Sequence, residues 1–428
     1  MTEHQLFLFL AEVTVLVVAA RMGGELALRL RIPQVVGELV FGIMLGPSLF
    51  GALWPGGFRA LFPADPTQRS LLEIVSWVGV IFLVLLTGLE TRLSILRKAG
   101  KAVAAGWLGG FFLPLLVGFA FGLAIPSRLI PADVERPVFA LFIATAMSIS
   151  AIPVIARILM DLDLFRTRIG MVIVSTAVAD DTVGWILLAV ITGLVERHRL
   201  DVATVATALL GTAAFLLFAF TVGQWLVNRT LRAAESFSMP FAKTTAVLVI
   251  VFVGGAMTQA IHVHLVLGSF VAGILVFRSP ARERGSVEPL RTVGMSFFVP
   301  LFFAYTGIKV DLTTLRGSTL AVAVLAVGLA CISKFLGSVV GARLGGLSKW
   351  EALAAGAGRN ARGAMELVIA AIGLSIGVLS LPMYSIVVLI AVVTTLMAAP
   401  ILRACVRRIP EDGTRVPGTE KEKGRVSA

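Results

Sequence analysis

The chain is built from a succession of apolar runs, each close to twenty residues long, with little soluble-type sequence between them. A helix rises 1.5 Å per residue, so ~20 apolar residues cross the ~30 Å hydrocarbon layer of a bilayer. Such runs occupy about residues 5–20, 34–53, 70–90, 101–125, 137–160, 168–195, 201–227, 241–261, 263–278, 289–308, 317–342, 351–376 and 382–404. Of the 428 residues, 57% are hydrophobic and 14% charged, against roughly a quarter charged in soluble domains. The fold class that follows is an all-α polytopic membrane protein of about thirteen transmembrane helices. The opening MTEHQ carries no basic stretch, so no cleavable signal is expected and the first run stays as a span.

A net charge of +12 can indicate affinity for nucleic acid, but here the distribution decides. With the N-terminus outside, 26 of the 37 Lys and Arg fall on the inner side and 8 on the outer, alternating loop by loop. Lys334, Arg359 and Arg362 remain within spans. This is the positive-inside bias, and it places the chain in the cell membrane with a cytoplasmic C-terminus and no nucleic-acid partner. Cys331 and Cys405 suggest neither a disulfide nor a metal site. No phosphate-binding loop, dinucleotide fingerprint, zinc or hydrolase motif is present, so neither enzymatic chemistry nor a cofactor is expected.

The segments repeat. VGELVFGIM from Val36 in the second matches LGSFVAGIL from Leu267 in the ninth, and TGLETRLSILR from Thr87 in the third matches TGIKVDLTTLR from Thr306 in the tenth. Both pairs lie seven segments apart. Seven is odd, so the copies enter the membrane in opposite senses, the inverted-repeat plan of secondary transporters. The copies run over about 5–195 and 241–405. The fifth segment then pairs with the twelfth and the sixth with the thirteenth.

Charge inside the membrane marks the functional region, because an ionisable group at mid-bilayer costs at least ~2.5–3.5 kcal/mol. Asp180 and Asp181 sit near the centre of the sixth segment. Neighbours on a helix point ~100° apart, so one can pair with another helix while the other faces a water-filled cavity. Lys334, too central in the eleventh segment to snorkel, is the candidate partner. On sequence such a pair is either a structural bridge or part of an ion path. The fifth and twelfth segments both read as interrupted. Pro153 follows Ser148 and Ser150 in one, and freed carbonyls plus a hydroxyl give hard oxygen ligands for a small cation. Gly356, Gly358 and Gly363 weaken the other, where Arg359, Asn360, Arg362 and Glu366 also lie. Arg362 and Glu366, four apart, can pair as structural charges at the broken ends. Glu90 reads as an interfacial helix-end residue, Glu38 has no evident role, and the four histidines read as separate solvated residues.

These motifs resemble the monovalent cation:proton antiporters, the branch of bacterial sodium/proton and potassium/proton exchangers and plant cation/proton exchangers. PQVVGELVFGIMLGPSLFG from Pro33, FLVLLTGLE, SISAIPVIARILMDLDLFRTRIG with ADDTVGW, and NARGAMELVIA carry the likeness, over roughly residues 5–405. The resemblance implies two crossed, interrupted helices in a core (about 101–195 and 317–405) beside dimerisation helices (about 5–53 and 201–278), within one transporter unit over 1–405 that moves like an elevator. It implies that Asp181 binds the monovalent cation and the proton, that Asp180 faces Lys334, and that Ser150 is the hydroxyl of the first crossing helix. An Asp at position 180 with a Lys at 334 favours electrogenic exchange. The substrates implied are sodium or potassium and protons, in a lipid-embedded homodimer. Residues 406–428 read as a short polar tail, and no nucleotide-binding regulatory domain is expected. The alternative is a sodium-coupled organic solute symporter of similar fold.

Overall fold

A computed structural model describes residues 2–91, 100–162, 164, 167–196, 202–261, 264–282 and 284–409. The described chain is helical throughout. Its first part holds α1 (Glu3–Arg29), α2 (Gln34–Leu45), the short α3 (Phe50–Leu53) and α4 (Pro55–Leu61), α5 (Pro66–Glu90), α6 (Lys101–Ala124), α7 (Arg136–Ser148), α8 (Ile152–Asp161) and α9 (Arg168–Glu196). Next come α10 (Val202–Phe218), α11 (Gln224–Glu235), α12 (Ala242–Ala260), α13 (Leu265–Arg278), α14 (Arg284–Val293) and α15 (Val299–Ile308). The chain ends with α16 (Ser318–Leu344), α17 (Lys349–Arg359), α18 (Ala364–Ser375) and α19 (Leu381–Val406). One π turn joins α10 to α11 and another joins α14 to α15.

Among the described residues ten helical stretches are long and apolar enough to cross a membrane, while α7, α13 and α18 are apolar but shorter. This is a multi-pass membrane protein. The first segment runs on as helix to Arg29, well past residue 20, because Glu25 and Arg29 bond one another across an exposed turn at 2.9 Å and carry the helix out of the apolar zone. Arg92, Arg97, Lys98, Arg166, His198, His262 and residues 410–428 lie outside the described residues.

The helices pack in two groups. In one, α6 lies along α16 and α7, α17 packs on α16 and α19, and α18 on α19. In the other, α1 packs on α2, α2 on α15, α5 on α13 and α15, and α12 on α13. The long α9 touches α6, α7, α8 and α17 of the first group and α13 of the second.

In lipid, helices hold together by close packing of small residues rather than by a hydrophobic drive. Glycines make that packing here, in pairs seven segments apart. A Cβ on Gly42 would strike the Ala304 carbonyl, and one on Gly273 would strike the Leu85 carbonyl. A Cβ on Gly307 would meet Leu39 O and Ile43 N, and one on Gly88 would meet Phe270 O and Ile274 N. Gly23 and Gly37 press backbone to backbone, as do Gly254 and Gly268. Under the alignment of the two copies each contact maps onto its partner. Gly109 and Gly337, from the fourth and eleventh segments, press on each other reciprocally.

One histidine departs from expectation. His4 is exposed, but His264 is buried, with its ring against Trp77 at 5.4 Å and its Nδ1 accepting from Val266 N–H at 3.4 Å. It caps α13, a role open to imidazole when a helix begins inside the protein.

Candidate functional site

Two interrupted helices build the site. The fifth segment stops at Ser148, runs extended through Ile149 and Ala151, and restarts as α8 with Pro153 in its first turn, where a missing N–H costs nothing. The twelfth stops at Arg359 and restarts at Ala364. A Cβ on Gly363 would come 2.7 Å from Val154 Cγ2 of α8, so glycine permits this approach. The two breaks touch. Ser150 Oγ donates to Arg359 O at 2.9 Å, and Ala151 N–H donates to Ala361 O at 3.5 Å.

The ends of α7 and α17 leave carbonyls without helical partners, and at a break inside a membrane no water need be present to serve them. Side chains do so instead. Arg362 donates to Ala146 O at 2.9 Å and to Met147 O, Lys334 donates to Ser148 O, and Thr395 donates to Arg362 O. Cations at a helix C-terminus also meet the negative end of its dipole.

Asp180 is fully buried and sits between two cations. Lys334 Nζ is 2.8 Å from its Oδ2, and Arg359 Nη2 is 3.0 Å from each oxygen. Arg359 also reaches Gly106 O on α6, so this side chain ties three helices together. Arg362 and Glu366 pair at 3.2 Å, both buried. Asp181 is different. It is equally buried, yet neither carboxylate oxygen has a hydrogen-bond partner among the described residues. An unpaired ionised carboxylate there would carry the full desolvation penalty. It is tenable only with a proton or a cation bound. Asn360 Oδ1 and Glu366 Oε2 are likewise buried and unpartnered near the second break.

The structure thus brings Asp180, Lys334, Ser150, Arg362 and Glu366 around the two breaks, with Asp181 beside Asp180 in the sequence of α9. Arg359 is the residue that sequence reasoning left without a partner. The available signal was a count: of the three mid-span bases, Lys334 and Arg362 had an expected acidic partner and Arg359 had none. Glu12 was also missed. It is buried in α1 and accepts from Gln68 Nε2 at 2.7 Å. Glu38 is buried and accepts from Gln34 Nε2 at 2.7 Å, and Glu90 pairs with Arg291 at 2.8 Å on the exposed end of α5.

Interrupted membrane helices whose broken ends meet around buried acids define a secondary transporter fold. The chain belongs to the sodium/hydrogen exchanger family of transmembrane proteins, which it matches over residues 13–408. It is 33% identical over 405 residues to the Na(+)/H(+) antiporter NhaS4 of Synechocystis sp., covering 94% of this chain and 98% of that one. It is 32% identical to K(+)/H(+) antiporter 1 of Saccharomyces cerevisiae and 30% identical to Cation/H(+) antiporter 18 of Arabidopsis thaliana, over 90% and 96% of its own length. The alignments cover 45% and 51% of those two relatives. The fold is similar to that of the sodium proton antiporter MjNhaP1 from Methanocaldococcus jannaschii at pH 8, with a TM-score of 0.61 at 16% identity, covering 94% of this chain and 97% of that one.

Proposed function

We propose that the chain exchanges protons for a monovalent cation, sodium or potassium, across the cell membrane, with Asp181 as the shared binding group. The observation that carries this is the bare, fully buried carboxylate of Asp181, next in the chain to the Asp180 that Lys334 and Arg359 hold. A proton and a cation are the two ways to compensate it, and one excludes the other. Competition at a single carboxylate couples the fluxes without a covalent step. Hard oxygens such as this carboxylate and the Ser150 hydroxyl suit sodium or potassium. The names of the relatives agree with antiport, and no observation favours the solute symporter.

Asp180 anchors the second half of the cycle. Arg359 grips both of its oxygens and Lys334 only one, so Lys334 is the partner free to leave and to pass a proton. Two acids and one releasable base allow about two protons per cation, which makes turnover electrogenic. The positive-inside bias supports an external N-terminus and a cytoplasmic C-terminus. The two helix groups support a moving core beside a fixed scaffold, and the scaffold is the natural face for a homodimer.

Proton release from everted vesicles on adding sodium or potassium tests the reading, with Asp181→Asn as the decisive variant. The expected result is cation-driven proton flux in the parent and none in Asp181→Asn at equal membrane insertion. Near-normal flux in the variant would overturn the assignment.

A further inference from the structure

A small cleft that shares no lining residue with the Asp180–Asp181 site lies between the first turns of α5 and α19 and the last turns of α15, on the face that carries the N-terminus. It is lined by Glu73, Ser76, Tyr305, Thr306, Lys309 and Tyr384, and its volume of about 10 Å³ admits one water-sized body. An organic solute does not fit. Tyr305 is 5% exposed, and its hydroxyl has no hydrogen-bond partner among the described residues. A buried hydroxyl left unsatisfied pays its desolvation without return, so an orphan here points to an occupant. Lys309 makes no ion pair among the described residues, and its Nζ rests 4.2 Å above the Tyr305 ring. A tethered cation is therefore already held at the mouth of the cleft, over the ring and within electrostatic reach of Glu73 but not bonded to it.

The cleft also sits where the two helix groups meet. Glu73 on α5 and Tyr305 on α15 belong to one group, and Tyr384 on α19 belongs to the other. Tyr384 O–H donates to Thr306 O at 2.7 Å across that seam. A wider cavity of about 700 Å³ opens above and shares Glu73, Tyr305 and Lys309, with Glu12, Arg69 and Asp311 on its wall. An ion approaching from this face reaches the small cleft through the large one.

The geometry points to a waiting site for the cation in this cleft, held by Glu73 and the Tyr305 hydroxyl, with the Lys309 ammonium as the tethered competitor that the incoming ion displaces. The identity of the ion as substrate rests on the exchange reading above; the site itself does not.

Tyr305 and Tyr384 are the two tyrosines of the whole chain, so tyrosine absorption reports on this cleft directly. Purified protein would be titrated with sodium or potassium chloride against choline chloride at fixed ionic strength. The expected result is a saturable tyrosine difference spectrum with sodium or potassium but not choline, present equally in Asp181→Asn. Half-saturation should rise at least fivefold in Glu73→Gln and fall in Lys309→Met. In proteoliposomes of known orientation, Glu73→Gln should raise the KM for cation on the N-terminal face and leave that on the opposite face unchanged. A signal that is absent, that choline reproduces, that Glu73→Gln leaves unmoved, or that vanishes in Asp181→Asn overturns the site. A normal titration in a protein that moves no protons would sink the exchange reading and leave the waiting site standing.

Discussion

At the scale of single residues the membrane interior enforces a strict pairing rule, and Asp181, the proposed cation and proton group, is the exception. Asp180 shows the rule at work. Two bases serve it unequally: Arg359 contacts both oxygens, Lys334 one. Removing one member of a buried ion pair typically costs ~3–5 kcal/mol, less when a second partner remains. Arg359→Gln is therefore expected to lower the thermal midpoint of the purified protein clearly more than Lys334→Gln does. Scanning calorimetry or a thiol-reactive melt checks the order, and equal losses would show that the two bases share the anchor role. Much of this was legible. Adjacent acids at mid-span and a lysine too deep to snorkel stand out in any apolar run. Arg359 did not, because its partner choice depends on how a broken helix turns back at Asn360, and spacing along one segment holds no such information. Glu12 was hidden for a similar reason, since Gln68 reaches it from a different helix.

At the scale of helices, glycines set the distances between backbones. A methyl group at Gly42 or Gly273 would have to displace a neighbouring main chain rather than a flexible side chain. Each of Gly42→Ala and Gly273→Ala is expected to destabilise by ~1–3 kcal/mol, the usual cost of overpacking, and by similar amounts because the two contacts correspond. Gly328 of α16 has nothing within 4 Å of a Cβ. Gly328→Ala should be neutral or stabilising by up to ~1 kcal/mol through helix propensity alone. Thermal unfolding of the three variants in one detergent checks the contrast. The repeat was visible because these glycines recur in matching strings, and the two breaks because Pro153 and the glycines before Gly363 weaken a helix wherever they fall. The end of α1 was not, since Arg21, Glu25 and Arg29 read as a connection while an exposed ion pair lets the helix continue. His264 read as solvated because sequence does not reveal that α13 begins beneath Trp77.

For the whole molecule, the proposed two-for-one exchange couples turnover to voltage. A net charge crossing the membrane is worth ~2.3 kcal/mol per 100 mV. In proteoliposomes with potassium and valinomycin setting the potential and sodium as substrate, a negative interior should speed sodium exit and steepen the final gradient. A rate and end point indifferent to voltage would mean one-for-one exchange and would return Asp180 and Lys334 to a structural role. The mirrored glycine contacts bear on what such a machine can do. On such a frame the inverted-repeat plan provides for two end states, each the image of the other. The copies part at the acids proposed to hold the cargo: the sixth segment reads AVADDT from Ala177, whereas the thirteenth reads AVVTTL from Ala391, with Thr394 and Thr395 where the first copy has its acids. Protein so constructed has no preferred direction of its own. Whether it expels the cation or admits it is left to the ion gradients on either side, and the same molecule runs backwards when they reverse.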